Sequence, residues 1–260
     1  MIPKLIMQTW KDNHVPKYWQ SSPDSIQKYM PQWKYVLLTD EDNLSFVKQH
    51  FPSLLQWFKS LPYPIQRADV IRYMWLFFHG GIYLDLDIEL IAPLDELFTG
   101  NMNTYLLKAP RNFAGHYTNF FMASAKHNRF WLTVLHECLK PLESWVILPH
   151  HVVSQQTGLG ALTRAANKWT FPIAVLPQGP LVPCDYCNPD ACYKPYSYVK
   201  FLKGGSWNLG DTSLMNILMC NYELVLMIIL GCIAYAILCN HYRVHSYLGS
   251  NIQCVLIQSP

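Results

Sequence analysis

The sequence predicts an α/β domain, a parallel sheet with helices on its faces, followed by one membrane-spanning helix. Three observations predict it. Short apolar runs alternate with capped helical stretches over the first sixty or so residues, a buried helix runs through two glycines into a strand between Pro64 and Leu90, and Leu224 to Cys239 is sixteen residues without a charge. A chain of 260 residues is long enough to bury a sizeable core. Charged residues make up 14% of it, well under the roughly 25% of an ordinary soluble domain, and aromatic residues make up another 14%. That pairing fits a large core, a membrane contact, or both. A formal net charge of +3 is too small for a nucleic-acid partner, which calls for a strong basic bias.

Lys4 to Thr9 reads as a short buried strand opening the domain. Ser22-Pro23-Asp24 then offers an N-cap with proline at the first helical position. Tyr35 to Leu38 is a second short apolar strand, and Thr39 or Asp40 caps the next helix, with Glu41 and Asp42 in its first turn, where the helix dipole favours carboxylates. Helical stretches follow to about Ser60. Strand and helix alternating in this order argue for a parallel sheet, whose ligand crevice lies beyond the carboxyl ends of its strands.

Pro64 stands where a helix begins and Gly80-Gly81 where one ends. Between them only Gln66, Arg67, Asp69, Arg72 and His79 are polar or charged, so the helix is buried. Gln66, Asp69 and Arg72 fall on one stripe, with Asp69 and Arg72 as i,i+3 neighbours. The stripe either faces a ligand cavity or is an ion pair that holds helix to sheet.

After the glycines, Ile82, Leu84, Leu86, Ile88 and Leu90 alternate with Tyr83, Asp85, Asp87 and Glu89. Read as one strand, this sets three carboxylates in a row, alternate residues about 6.5–7 Å apart. Such charges resist ionising unless something positive sits among them. No matching run of lysines is present, and a divalent cation resolves the conflict. Hard oxygen ligands select magnesium, manganese or calcium. An EF-hand is excluded, because the turn glycine and the later bidentate glutamate are missing.

The remaining features sit at the ends. Cys184, Cys187 and Cys192 form the only local group among eight cysteines, open to a loop disulfide or a zinc site that lacks a clear fourth ligand, His150 or His151 being the candidates elsewhere in the chain. A disulfide there would indicate an oxidising compartment. No basic region followed by an apolar stretch opens the chain, so no cleavable signal peptide is expected. The uncharged segment near the C-terminus is expected to span a membrane, with a buried or membrane-surface helix as the other readings.

Gln8-Thr9-Trp10, then PIQRADVIRYMWLFFHGGIYLDLDIEL and the following Pro93-Leu94-Asp95, resemble the DXD-motif sugar transferases that include the initiating α-mannosyltransferase and the inositol-phosphoceramide mannosyltransferases. Further likeness lies at Asn119 to Ser124, Thr157-Gly158, Leu162-Thr163 and Gly204 to Trp207. The resemblance covers residues 1 to 211. It implies a GT-A fold, a Rossmann-like α/β domain that binds a nucleotide-sugar beside manganese or magnesium and transfers a hexose with retention. The domains it implies are a catalytic domain over 1–211, a linker over 212–223, a transmembrane helix over 224–240 and a short tail over 241–260.

By position, the resemblance assigns Asp87 to direct metal ligation and Asp85 to the donor ribose and the metal site. Asp69 is expected on the donor sugar hydroxyls, and Arg72 near the sugar or phosphates. Thr9 and Trp10 are expected to line the base pocket and Tyr83 and Gly81 to floor the site, while Arg67 and Trp207 complete the donor contacts. Related sequences often carry a metal-binding histidine after the Ser-Trp pair. Asn208 stands there instead and is the expected third ligand. Phe120 replaces a polar or acidic residue that many relatives carry near the acceptor. The implied donor is GDP-mannose or a UDP-hexose. The implied acceptor is a membrane lipid such as inositol phosphoceramide, in the Golgi or another endomembrane. A protein- or glycan-directed transferase and an inactive membrane-anchored sugar-binding protein are the rival readings.

Overall fold

The computed structural model describes residues 1–109, 115–181, 187, 196–204 and 210–238. One compact unit runs Met1–Thr212 and a second begins at Ser213. The first unit is a mixed α/β domain around a six-stranded sheet. In chain order its strands are β1 (Leu5–Thr9), β2 (Lys34–Leu38), β3 (Gly81–Leu84), β5 (Thr104–Lys108), β6 (Tyr117–Ser124) and β7 (Ala174–Leu176), and they lie side by side as β2-β1-β3-β6-β5-β7. A separate antiparallel ribbon pairs β4 (Ile88–Leu90) with β8 (Val199–Phe201).

β2, β1 and β3 are parallel, as expected, and β5 is parallel to β7. β6 runs against both of its neighbours, so the sheet is mixed and not wholly parallel. Strand alternation buries both faces. Met7 and Tyr83 point into a core made with α4 (Pro64–His79), α5 (Phe130–Cys138) and α7 (Leu159–Lys168). Ile6, Ile82 and Leu84 point into a second core with α1 (Ser21–Tyr29) and β4.

Local signals place most of the first elements. Thr39 caps α2 (Asp40–His50), its hydroxyl accepting from the Asp42 N–H while the Asp42 carboxylate accepts from the Thr39 N–H. α1 starts at Ser21 with Gln20 at its N-cap, so Ser22 is not the cap. Its hydroxyl is used instead on the Ile88 carbonyl and the Gln8 amide, which ties α1 to the site. α3 (Leu55–Ser60) leads into α4, where Pro64 is the first helical residue and the Gln66 side chain accepts from the Tyr63 N–H.

At the far end of α4 both glycines are required by geometry. Gly80 has φ +68° and Gly81 φ +92°, the region that side chains rarely enter. A Cβ on Gly81 would run into the Leu5 carbonyl, and one on Gly80 into the Ser124–Lys126 backbone. This close approach brings β3 to the middle of the sheet.

Downstream of the short α8 (Gln178–Leu181), α9 (Gly210–Cys220) is followed by a helix over Tyr222–Leu238, here α10, with an 80° bend between them. Among the described residues no single helix is long and apolar enough to cross a membrane, although the bent pair passes that test together. The expected span over 224–240 falls on α10, with residues 239 and 240 outside the described residues. Large apolar side chains all around α10 are exposed, among them Leu224, Met227, Ile228, Leu230 and Ile233.

Candidate active site

The carboxyl ends of β1 and β3, the start of α4 and the start of α6 (Pro149–Gln156) enclose a cavity of about 420 Å³. Thr9, Trp10, Lys11 and Trp19 form one side, and Tyr63, Pro64, Ile65, Ala68 and Arg72 line the α4 side. Tyr83, Asp85, Leu86 and Asp87 form another wall, and Pro149, His150, Val153 and Thr212 a further one.

The acidic motif does not lie on one continuous strand. β3 stops at Leu84 and β4 resumes at Ile88, with a turn between. The Asp85 N–H still reaches across to the Phe120 carbonyl, but the Asp85 carbonyl accepts from the Ile88 N–H, at 3.2 Å, and from the Gln8 amide, at 3.1 Å. Fully buried Gln8 thus fixes the turn, and Tyr35 donates in turn to its side-chain oxygen. The turn separates Glu89 from the other two carboxylates. Glu89 accepts from Ser21 and pairs with Lys200, so a row of three carboxylates does not form.

Asp85 is held and Asp87 is not. The Arg72 guanidinium donates to Asp85 Oδ1 at 3.1 Å, and the Tyr83 hydroxyl donates to the same oxygen. Arg72 also donates to the Asn119 carbonyl at 2.9 Å and lies 4.5 Å over the Tyr83 ring. Burial disfavours charge on Arg72, but Tyr83, Asp85 and Asp69 outweigh that and hold it more firmly protonated. Apart from its own backbone N–H, the Asp87 carboxylate has no hydrogen-bond partner among the described residues. Burial and the neighbouring Asp85 charge push it up to about 7. Gly204 comes so close that a Cβ there would strike the Asp87 carboxylate.

Asp69 stands behind Arg72, 3% exposed and off the cavity wall. It accepts from Thr157 at 2.9 Å and Asn119 at 2.8 Å, and lies 3.2 Å from the Arg72 guanidinium. Burial pushes its carboxyl up to about 6, against the pull of Arg72 and Thr157. The polar stripe on α4 is therefore both things the sequence left open: Asp69 and Arg72 pair inside the protein, and Arg72 reaches the cavity. Gln66 is turned away to the Gln156 side chain.

Thr9 and Trp10 lie on the cavity wall, as do Arg72, Tyr83, Asp85 and Asp87. Thr9 is fixed by the Leu38 carbonyl and the Asn43 amide. The Trp10 ring meets Trp19 edge-on at 4.9 Å, and its buried indole N–H has no partner among the described residues. Arg67 is not on the wall; it donates to the Leu61 carbonyl and braces the turn before α4. Gly81 sits at the opposite end of β3 from Asp85, so it holds the strand and does not reach the cavity. Phe120 is off the wall too, its ring 5.3 Å from Phe201. Trp207 and Asn208 lie outside the described residues, as do Cys184 and Cys192. Cys187 is disulfide-bonded, which removes its thiolate from any zinc site.

Sequence reasoning assigned no role to Gln8, Asn119 or Thr157, and raised His150 only as a candidate zinc ligand. The first three are buried or half-buried polar side chains aimed at the acidic turn or at Asp69. His150 is on the cavity wall, its ring Nδ1 3.1 Å from the Thr212 hydroxyl and its N–H bonded to Asp211. Only Gln8, Asn119 and Thr157 fell within recognisable motifs.

Residues 16–103 match the family described as a glycosyltransferase sugar-binding region containing the DXD motif. The chain is 31% identical to inositol phosphoceramide mannosyltransferase 2 of Schizosaccharomyces pombe, over 92% of its own length and 67% of that protein. The chain belongs to the DXD-motif sugar-transferase family. It is 32% identical to the mannosyl phosphorylinositol ceramide synthase SUR1 of Saccharomyces cerevisiae, over 84% of this chain. The initiation-specific alpha-1,6-mannosyltransferase of the same yeast is 37% identical over 36% of this chain and 22% of the yeast protein. This family member spans 55% of the length of SUR1. Among solved structures, the PaToxG glycosyltransferase superposes with a TM-score of 0.47 at 18% identity, covering 64% of this chain and 69% of its own.

Proposed function

We propose that the chain is a GT-A-type hexosyltransferase, retaining and dependent on a divalent metal, that moves a sugar from GDP-mannose or a UDP-hexose to a membrane lipid such as inositol phosphoceramide. The observation that carries the reading is the pair at the end of β3: Asp85 tied down by Arg72 and Tyr83, and Asp87 beside it with no partner among the described residues. Two hard oxygen donors with excess negative charge suit manganese or magnesium. Among the described residues no three His, Cys, Asp or Glu side chains cluster to hold a metal. The protein's share is thus Asp87 and Asp85, with Asn208 as a further ligand and the donor diphosphate as the source of other oxygens.

A divalent cation bound there would neutralise the charge that develops on the diphosphate as its bond to the anomeric carbon breaks. The chain's own residues do the rest. Asp69 and the Asn119 carbonyl hold the Arg72 guanidinium in place, where it adds positive charge to the cavity wall. Thr9 and Trp10 receive the base, with an indole face for stacking. A cavity of about 420 Å³ is within the usual range for a small-molecule site. Two carboxylates on one turn do not suit glycoside hydrolysis, which sets its pair on opposite sides of the sugar.

The names of the relatives support a lipid acceptor. The exposed apolar surface of α10 supports a membrane location, read as a span over 224–240 in the Golgi or another endomembrane. The test uses the full chain with a panel of nucleotide sugars, first with manganese and then with chelator. Manganese-dependent release or transfer from one donor is expected. Silence across the panel with inositol phosphoceramide vesicles supplied as acceptor, from folded protein that still binds nucleotide, would sink the transferase reading in favour of a sugar-binding protein.

A further inference from the structure

We propose that the apolar turn before α6, carrying Trp145, Ile147 and Leu148, docks onto a lipid bilayer beside the cavity. The inference rests on the membrane reading of α10 and adds a second point of contact. The turn closes where the Val146 N–H donates to the Glu143 carbonyl at 3.0 Å. Val146 is buried and anchors it, while Trp145, Ile147 and Leu148 are 65%, 76% and 47% exposed. The Trp145 ring is braced 5.3 Å from His151. Single exposed apolar residues need no explanation, but three within four positions do.

Where the chain goes next says what covers them. The Leu148 carbonyl accepts the Val152 N–H at 2.8 Å and so opens α6, whose first residues, Pro149 and His150, wall the cavity. The His150 N–H donates to Asp211 at 2.7 Å, and the His150 ring meets the Thr212 hydroxyl. Thr212 is the last residue of the compact unit, and only nine residues separate it from Tyr222 at the start of α10. The chain leaves for its apolar helix from the spot beside which the apolar turn is held. The turn has no free cation for anionic headgroups, since Lys140 is bonded to Glu137 and Glu143 is its other charge. Docking therefore works by apolar burial, with the Trp145 indole at headgroup depth, and is indifferent to lipid charge and salt.

The test places an environment-sensitive fluorescent amino acid at position 147 of the full chain, in phosphatidylcholine vesicles carrying brominated acyl chains. Exposed Val175 on β7 serves as the aqueous control, and Ile229 on α10 as the reporter of the helix. Apolar docking at about 5–10 Å below the surface should quench position 147 about twofold or more over position 175. Trp145→Ser with Leu148→Ser should remove the difference, and anionic lipid should not enlarge it. Equal quenching at 147 and 175, with 229 quenched, would overturn the docking, as would quenching at 147 only with anionic lipid. An unquenched position 229 would overturn the membrane reading beneath it. None of these readouts needs turnover, so they are independent of whether sugar is transferred.

Discussion

Asp69 on α4 and Glu137 on α5 are both buried carboxylates beside cations, yet Asp69 is pushed up to about 6 and Glu137 held down to about 2. At Asp69 burial outweighs the pull of Arg72, whereas at Glu137 the bonds to Lys140 and Lys168 together outweigh burial, and the number of carboxylates that share each cation adds to the difference. Burial raises Glu137 as well, but Lys140 and Lys168 bond to it and Arg164 lies 3.3 Å away, three cations for one carboxylate. Around the cavity the ratio is inverted. Asp69 and Asp85 share Arg72, and Asp87 adds a third charge. The Glu137 cluster is electrically complete and structural: it joins α5 to α7, and Arg164 passes the link to Gln155 on α6. The α4–β3 side is short of positive charge, and that shortage is what a cation-dependent site requires.

The largest effect should come from removing the unpaired member of the acidic side. Asp87→Ala should cut metal-dependent donor turnover by about 100- to 1000-fold, the scale of a lost group that stabilises charge in the transition state. Its melting temperature should stay near that of the parent chain, because the carboxylate holds nothing else in place. Parent-like turnover in steady-state assays would show that the acidic turn is not the catalytic one.

Arg72→Met should come next, through stability. It strands Asp69 and Asp85 without their shared cation, and breaking a buried pair this way costs about 3–5 kcal/mol. A urea titration that found less than about 1 kcal/mol would mean the network is not what holds α4 to the turn.

Glu137→Gln should act least, and only on the stability of the α5–α7 side. A carboxylate whose pKa is lowered on folding stabilises above its unfolded value of about 4.3 and loses that contribution as the pH falls toward about 2. The gap in melting temperature between parent and variant should therefore close between pH 5 and pH 2. A gap that is constant with pH would show that the three cations do not act through the charge of Glu137.

The same comparison explains what was legible in the sequence. α4 was readable end to end because proline and glycine mark both of its limits, while the Asp69–Arg72 spacing left an ion pair and a ligand-facing stripe equally open. The acidic turn was misread as strand because Leu86 stays buried within the turn, so the apolar alternation continues although the ladder does not. What breaks the strand is Gln8, some 77 positions away, and no local pattern encodes that bond. The reversal of β6 was equally hidden, since alternation is the same in either strand direction. The α6 wall carries no acidic or glycine signature, and His150 is placed by Asp211 and Thr212 more than sixty positions downstream.

Thr212 is the last residue of the cavity wall in chain order and Thr9 the first. Synthesis delivers the chain N-terminus first, so most of the sheet and all of α4 leave the ribosome well before Asp211 and Thr212 can fasten the start of α6. The cavity is thus finished after the domain that carries it. A nascent chain can own its acidic turn and its core and still lack a finished pocket.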